Sequence, residues 1–410
     1  MFKKSFFISV LVICATITSV AQNIYVGVWT GKLSVGQASL TLVLNISEDE
    51  NGKLSCTLDS PDQGAKGIKA VVSTNDGMLE VSVPSIRMKY KGTPLNDLLS
   101  GTFSQNGMEF PLTFKKGEEK LNRPQTPLPP FPYTQEEVTF SNENAGAILS
   151  GTLIVPSNAS PKTPVVLFIS GSGLEDRNEE IFDHKPFLVI ADYLARNGIA
   201  SLRYDDRSFG ASKGGDVKNA TTLDFMEDAK AGLAFLRGMG HFERIGILGH
   251  SEGASIAFML GAAKECDFVI SMAGIGVKGD EVLTAQANKV LELRGVEARY
   301  TVQEYRTNVA MQGNAWLNWF INYNPTNDIS NCKCPVFALN GAKDVQVISS
   351  LNLAAIGKLL CNNPANSVKE YPDLNHLFQH CTTGDPNEYR SIEETVSPEV
   401  LADIVAWIKL

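Results

Sequence analysis

From Ile24 to about Lys120, apolar and polar positions alternate without a helical period: Leu40, Leu42, Leu44 and Ile46; Leu54, Cys56 and Leu58; Leu79, Val81 and Val83; Met108, Phe110, Leu112 and Phe114. A period of two puts every second side chain on one face of a strand, so these runs predict half-buried β-strands. Asn51-Gly52, Asp76-Gly77 and Asn106-Gly107 lie between the runs, and these residue types tolerate the positive φ of tight hairpins. Residues 22–120 are therefore expected to form a small antiparallel β domain, a barrel or a sandwich. The stretch contains no histidine and no titratable cluster with catalytic spacing. That favours a packing or spacer role over carbohydrate or lipid binding.

Pro124, Pro127, Pro129, Pro130 and Pro132 then change the texture. They predict an extended, semi-rigid linker over 121–135. Beyond it, 138–140 and 148–155 read as a hairpin, after which strands and helices alternate. Strands are predicted at 165–169, 199–204, 245–248, 268–272, 336–339 and 367–371; helices at 187–196, stopped by Gly198, at 222–239 and at 254–260. Short, wholly apolar strands separated by helices mean a mostly parallel sheet covered on both faces, so an α/β domain spans 136–410. Between two of its strands lies an insertion, about 277–330, with helical texture at 280–293. There Trp316, Trp319, Phe320 and Tyr323 fall at helix spacing, and an apolar stripe of that kind is ordinarily packed as core rather than lining an acyl pocket.

One strand-turn-helix junction carries chemistry. Gly249-His250-Ser251-Glu252-Gly253 follows the apolar run 245–248 and precedes the small-residue helix 254–260, the context in which G-x-S-x-G forms a nucleophile elbow. Ser251 is the nucleophile candidate. A serine needs a base active near pH 7, and the base needs a carboxylate to orient it. His250 sits inside the elbow, and His184 and His241 precede the serine, whereas the order in this architecture is Ser, acid, His. His376, on the loop after 367–371, is then the base, with His380 as alternative. Asp344, after 336–339, is the acid; it also suits a helix cap, and Asp373 is the fallback. The tetrahedral oxyanion needs two N–H donors. Glu252, the residue after the nucleophile, supplies one, and Ser172 in Ser170-Gly171-Ser172-Gly173 the other, with Gly171 or Gly173 as alternatives. Gly171-x-Gly173 lacks the third glycine of a dinucleotide fingerprint, so no nucleotide cofactor is expected.

Composition adds compartment and partners. With 43% hydrophobic and 20% charged residues in 410, the chain has the make-up of a globular protein large enough for more than one domain. Lys3 and Lys4, the apolar run Phe6 to Ile13 and Ser19-Val20-Ala21 read as a secretory signal over 1–21, too short for a membrane anchor. A lipoprotein cleavage before Cys14 is disfavoured by the bulky Ile13. Loss of Lys3 and Lys4 takes the formal charge from −9 to −11, which excludes nucleic acid as an expected partner. An exported, periplasmic or secreted location and no membrane contact of the mature form follow. Cys56, Cys266, Cys332, Cys334, Cys361 and Cys381 remain after cleavage. A disulfide among the last four is expected, without a defined pairing. Cys332-x-Cys334 lacks a second ligand pair, so no zinc site is expected.

Over roughly 135–410 the sequence resembles the α/β-hydrolase superfamily, through Gly249 to Gly253, Ser170 to Gly173 with Asp176-Arg177-Asn178, Asp205-Asp206-Arg207-Ser208-Phe209-Gly210-Ala211-Ser212, Asn340-Gly341 with Asp344, and Asn375-His376. It looks like the two-domain bacterial serine esterases related to prolyl-oligopeptidase-like and dienelactone-hydrolase-like enzymes. The resemblance implies a Ser251, His376, Asp344 triad, no metal, and a lid made by the insertion. Ser208 stands where that family usually carries glycine, which implies a local change in its loop. The expectation is an exported serine hydrolase acting on small-molecule carboxylic esters through an acyl-enzyme. Its rivals are a peptidase on the same residues, with Glu252 or another acid receiving a substrate ammonium, and a catalytically silent binding protein.

Overall fold

The structure, a computed structural model, describes residues 23–35, 38–63, 65–117 and 120–410. The expected signal at 1–21 lies outside the described residues. The chain divides into two compact units, the first ending at Lys120 and the second running from Leu121 to Leu410.

In the first unit, strands β1 (Gly27–Val35), β2 (Ala38–Glu48), β3 (Leu54–Ser60), β4 (Ala65–Asn75), β5 (Met78–Val83), β6 (Met88–Leu95), β7 (Leu98–Gln105) and β8 (Met108–Lys116) pair in sequence order and close into a barrel. Of the two expected forms, the barrel is the one adopted. Closure comes from β1 pairing with β8, Thr30 opposite Lys115 and Gly31 opposite Phe114. Asp76 and Gly77 have φ of 49° and 72°, Asn106 and Gly107 52° and 83°, the paired positive values of type I′ hairpins. Trp29, Leu44, Leu79, Tyr90, Leu99 and Phe114 have no exposed surface and fill the interior, so it is a packed core.

The second unit begins with the proline-rich stretch, held by the Arg123 guanidinium donating to the carbonyls of Phe182, Arg390 and Ile392 and by Gln125 Nε2 donating to Val396 O. Next come β9 (Tyr133–Asn142), β10 (Ala147–Pro156), β11 (Val165–Ile169), α1 (Pro186–Arg196), β12 (Ala200–Tyr204), α2 (Thr222–Met239), β13 (Ile245–His250), α3 (Glu252–Ala262) and β14 (Phe268–Met272). The insertion supplies α4 (Gly279–Leu293), α5 (Val302–Ala310), α6 (Ala315–Phe320) and α7 (Thr326–Asn331); β15 (Val336–Gly341), α8 (Ser349–Leu359), β16 (Ser367–Tyr371) and α9 (Pro398–Ile408) complete it. The eight strands line up as β16-β15-β14-β13-β11-β12-β10-β9. All neighbours from β12 to β16 are parallel, and the β9-β10 hairpin is antiparallel at one edge.

β11 shows why its run is wholly apolar. Val166 and Phe168 join the core beneath α1 and α9, while Val165, Leu167 and Ile169 join the core beneath α2 and α3. Both faces of the strand are covered, so alternation has no polar side to show. With β11, β13, β14, β15 and β16 parallel, their carboxyl ends open onto one edge, where ligands of open α/β sheets bind.

Candidate active site

Ser251 joins β13 to α3 with φ 54° and ψ −113°, a conformation sterically unfavourable for a residue with a Cβ and held here by its surroundings. The two glycines are required by close approach. A Cβ on Gly249 would lie 2.1 Å from Gly253 O, and one on Gly253 2.1 Å from Ile169 O. Ser251 N–H donates to Met272 O at 2.9 Å, fixing the turn against β14. As the first residue of α3, Glu252 offers an N–H that no intrahelical carbonyl accepts.

The loops after β15 and β16 meet beside this turn. Ala342 N–H donates to Tyr371 O at 2.8 Å and Lys343 N–H to Leu374 O at 3.0 Å. Nδ1 of His376 then lies 2.7 Å from Oδ2 of Asp344. The other carboxylate oxygen of Asp344 accepts the N–H groups of Gln346 and Val347 at 2.8 and 2.9 Å, and both side chains are buried. Asp344 therefore orients the imidazole and leaves Nε2 as the basic nitrogen. Among the described residues no hydrogen bond joins Oγ of Ser251 to His376, and contacts of this kind tighten when substrate is bound.

His250, set aside as base from the sequence, has a different part. Its ring centroid is 4.7 Å from that of His376. Nε2 donates to the backbone carbonyl of His376 at 3.0 Å, and Nδ1 donates to Oε1 of Glu179 at 2.8 Å. Both partners only accept, so both ring nitrogens carry protons. Burial opposes that charge, but Glu179 outweighs it and His250 is raised to about 9. The same Glu179 oxygen accepts Gly171 N–H at 2.8 Å, with Glu179 itself at φ 53°. One carboxylate thus ties the loop after β11 to the elbow and, through His250, to the loop of His376. With Gly171 N–H engaged, Ser172, exposed on that loop, has an N–H with no protein acceptor among the described residues.

A sequence profile described as serine aminopeptidase, S33, matches residues 185–308. Esterase EstD of Thermotoga maritima is 24% identical over 345 residues, 80% of each chain, a span longer than the second unit alone. Among solved structures, the Pyrococcus furiosus esterase Pf2001 covers 72% of this chain and 98% of its own at 19% identity and TM-score 0.47. Est1E from Butyrivibrio proteoclasticus covers 67% and 99% at 14% identity and TM-score 0.45. The second unit has the α/β-hydrolase fold. The serine aminopeptidase profile and the esterase match support hydrolase activity.

The remaining candidates fall into place around the hydrolase site. His380 is exposed and bound to Glu394 at 2.8 Å, and Asp373 is exposed and paired with Lys343 at 3.0 Å. Each is thus engaged with a partner other than Asp344 or His376. Buried His184 contacts Thr395 and Tyr389 O, with its pKa lowered to about 4 by burial. His241 is exposed beside Phe242. The Asp205 to Ser212 motif is scaffolding: Asp205 receives the Arg177 guanidinium at 2.9 Å, Arg207 grips buried Asp228 at 2.7 Å, and Asp206 accepts Glu175 N–H at 2.8 Å. Burial pushes Asp206 up to about 8, and burial followed by the neighbouring carboxylate of Glu179 pushes Glu175 to about 8. Ser208 takes a glycine-like φ of 56° and its hydroxyl donates to Gly214 O at 2.9 Å. A glycine adopts that φ freely, whereas the Cβ of Ser208 makes it unfavourable.

Glu252 was read from sequence for its N–H and, in the peptidase alternative, as an acid for a substrate ammonium; its side chain is not free for the second role. It is 4% exposed, and Oε1 accepts from Thr222 Oγ1 at 2.5 Å and from the Trp316 indole of α6 at 2.7 Å. Trp316 stacks on Phe320 and Trp319 on Tyr323, with centroids 5.1 and 5.0 Å apart, and the group packs with Met259 of α3 and Val347. The aromatic stripe is core between the insertion and the sheet, anchored on the residue after the nucleophile. Burial without a cation raises Glu252 to about 7.

Two expected results follow. A carboxyl raised above its unfolded value favours the fold while protonated, and that contribution is lost as pH climbs through the folded value. Glu252→Gln should therefore remove on the order of 3 kcal/mol of the stability loss between pH 4.5 and 8, measured as urea unfolding at several pH values; an unchanged difference between the ends of that range would contradict the burial argument. His250 has the same sign over a higher window, since its stabilisation is complete below about 6.5 and fades through about 9. Glu179→Gln keeps an acceptor for Gly171 but removes the counter-charge, so kcat should fall about 10- to 100-fold as the His376 loop loses its anchor. Steady-state kinetics giving wild-type kcat would contradict this.

Proposed function

We propose that the protein is an exported serine hydrolase of small-molecule carboxylic esters, with Ser251 as nucleophile, His376 as base and Asp344 as its orienting acid. The observation that carries this is the 2.7 Å contact between His376 Nδ1 and buried Asp344 beside the strained turn of Ser251. In the first half-reaction Oγ of Ser251 attacks the ester carbonyl while Nε2 of His376 takes its proton. The N–H groups of Glu252 and Ser172 receive the oxyanion. His376 returns the proton to the departing alcohol and an acyl-enzyme remains; water, activated by the same nitrogen, releases the acid. No step calls on a cofactor or metal. The mature chain is proposed to begin at Gln22 and to work free of the membrane, in the periplasm or outside the cell, which N-terminal sequencing of the recovered protein tests.

A peptidase reading draws support from the serine aminopeptidase profile over 185–308. Glu252, one acid suggested for a substrate ammonium, is buried and shared between Thr222 and Trp316, which leaves that role without support at this position. The name of EstD and the lack of a free acid at Glu252 favour the ester. A panel of short-chain p-nitrophenyl esters and matched aminoacyl p-nitroanilides on the purified mature chain decides between them. The ester reading expects kcat/KM at least 100-fold higher on esters, on the order of the discrimination a dedicated site provides; preference for the aminoacyl amides would replace it.

A further inference from the structure

Four cysteines distant in sequence converge at the root of the insertion. Cys332 caps α7, Cys334 stands two residues ahead of β15, Cys266 two residues ahead of β14, and Cys361 follows α8. All are thiols in this structure, so the disulfide expected from composition is not formed. The sulfurs of Cys332 and Cys334 are 3.5 Å apart, and Cys361 Sγ donates to Cys332 O at 3.3 Å. Cys266 also acts on the Cys334 thiol, each shifting the titration of the other. These two neighbours, Cys266 first and then Cys332, pull Cys334 well below the usual thiol range, toward the thiolate that attacks disulfides. Cys334 is half-buried, whereas Cys266 and Cys332 are buried. Of these three thiols, Cys334 is thus the one least shielded from solvent.

We propose that Cys334 and Cys266 form a redox-active disulfide that clasps the neck of the insertion, with Cys332 kept as a thiol beside it. β14 and β15 are adjacent and parallel, Val269 opposite Val336; continued back, that register sets Cys334 beside Asp267 and Cys266 one residue further along the neighbouring segment, so the two cysteines lead into adjacent strands. A Cys332 to Cys334 bridge would close a ring spanning one intervening residue and constrain almost nothing. The Cys266 to Cys334 bridge closes a loop containing β14 and all four insertion helices, and cross-links stabilise more as the loop they close lengthens. No side chain at Gly261 separates α3 from Cys332 Sγ, so the thiols also abut the helix that starts at the nucleophile.

The co-reactant is a small-molecule disulfide such as oxidised glutathione. The Cys334 thiolate attacks one of its sulfurs, the S–S bond breaks, and one glutathione thiolate leaves. Cys266 gives up its proton to solvent and attacks Cys334 Sγ in the mixed disulfide, expelling the second glutathione. Two protein thiols and one oxidised glutathione become one protein disulfide and two reduced glutathiones.

The full chain is equilibrated in glutathione buffers from reducing to oxidising, quenched by alkylation, and mapped by mass spectrometry without reduction. The expected result is loss of two thiols, a Cys266 to Cys334 linked peptide, and a melting midpoint on the order of 5 °C above that of the reduced chain. Cys332→Ser should still form the bridge, and Cys266→Ser should lose both bridge and shift. A Cys332 to Cys334 linkage, or six alkylated cysteines among Cys56, Cys266, Cys332, Cys334, Cys361 and Cys381 in the most oxidising buffer, would overturn the proposal. Because the readout is covalent, its failure leaves the ester-hydrolase reading untouched, and the converse holds.

Discussion

Ser251→Ala is expected to lower kcat on a short-chain p-nitrophenyl ester by about 10⁴- to 10⁶-fold, with KM changed only a few-fold. Without Oγ no acyl-enzyme forms, and water must attack unaided in a site that still binds the ester and stabilises its oxyanion. That residual stabilisation keeps the variant above the uncatalysed rate. The fold should survive, because Ser251 is held through its backbone: N–H to Met272 O and carbonyl to Ala254 N–H. A circular dichroism melt within a few degrees of wild type, alongside the lost turnover, separates chemistry from unfolding. His376→Ala belongs to the same unit, and the double variant should be no worse than either single one, since residues acting in one step are not additive. Turnover above one per cent in either variant would remove these two residues from their roles.

Asp344→Asn carries the second-largest effect, on the order of 10⁴-fold in kcat. The carboxylate accepts from Nδ1 of His376 at 2.7 Å and from two backbone N–H groups through its other oxygen. An amide can keep the backbone bonds with its oxygen, which turns its NH₂ toward Nδ1. Nδ1 must then accept, the proton moves to Nε2, and the base toward Ser251 becomes a donor. Geometry survives while the tautomer is wrong. The expected signature is a collapse in kcat with little change in KM or melting midpoint. An equal loss in Asp373→Asn with Asp344→Asn active would transfer the role to Asp373, which in this structure faces Lys343 at the surface.

What was legible in the sequence is the part written in local pattern and chain order. The strand-turn-helix texture around Ser251 located the elbow, and the rule that each catalytic loop follows a successive strand selected Asp344 and His376 from several candidates. The barrel's strands were visible as alternation, but its closure depends on β1 meeting β8, a register set by tertiary packing. The insertion appeared as helical texture at 280–293 and as the helix-spaced aromatic stripe that α6 carries, whereas α5 and α7 are helices of nine and six residues, too short for a periodic pattern to stand out. Least legible was the charge network. His250 and Glu179 lie 71 residues apart, and no spacing announces that a histidine beside Ser251 should be a fixed cation bonded to the backbone of His376. Glu252 likewise looked like a donor of its N–H, because nothing local reveals that Trp316 from the insertion caps its carboxyl. Both flank Ser251, and a polar side chain directly beside a candidate nucleophile is the signal that could have singled them out.

The central claim is that Ser251 is made nucleophilic by His376 held on Asp344. The most direct measurement is fluorophosphonate labelling of the purified chain followed by peptide mapping, run in parallel on wild type and His376→Ala. The account predicts one adduct per chain, on Ser251, formed rapidly in wild type and at least 100-fold more slowly without the imidazole, the scale of general-base assistance. An adduct on another residue, or Ser251 labelling at an undiminished rate in His376→Ala, would contradict it.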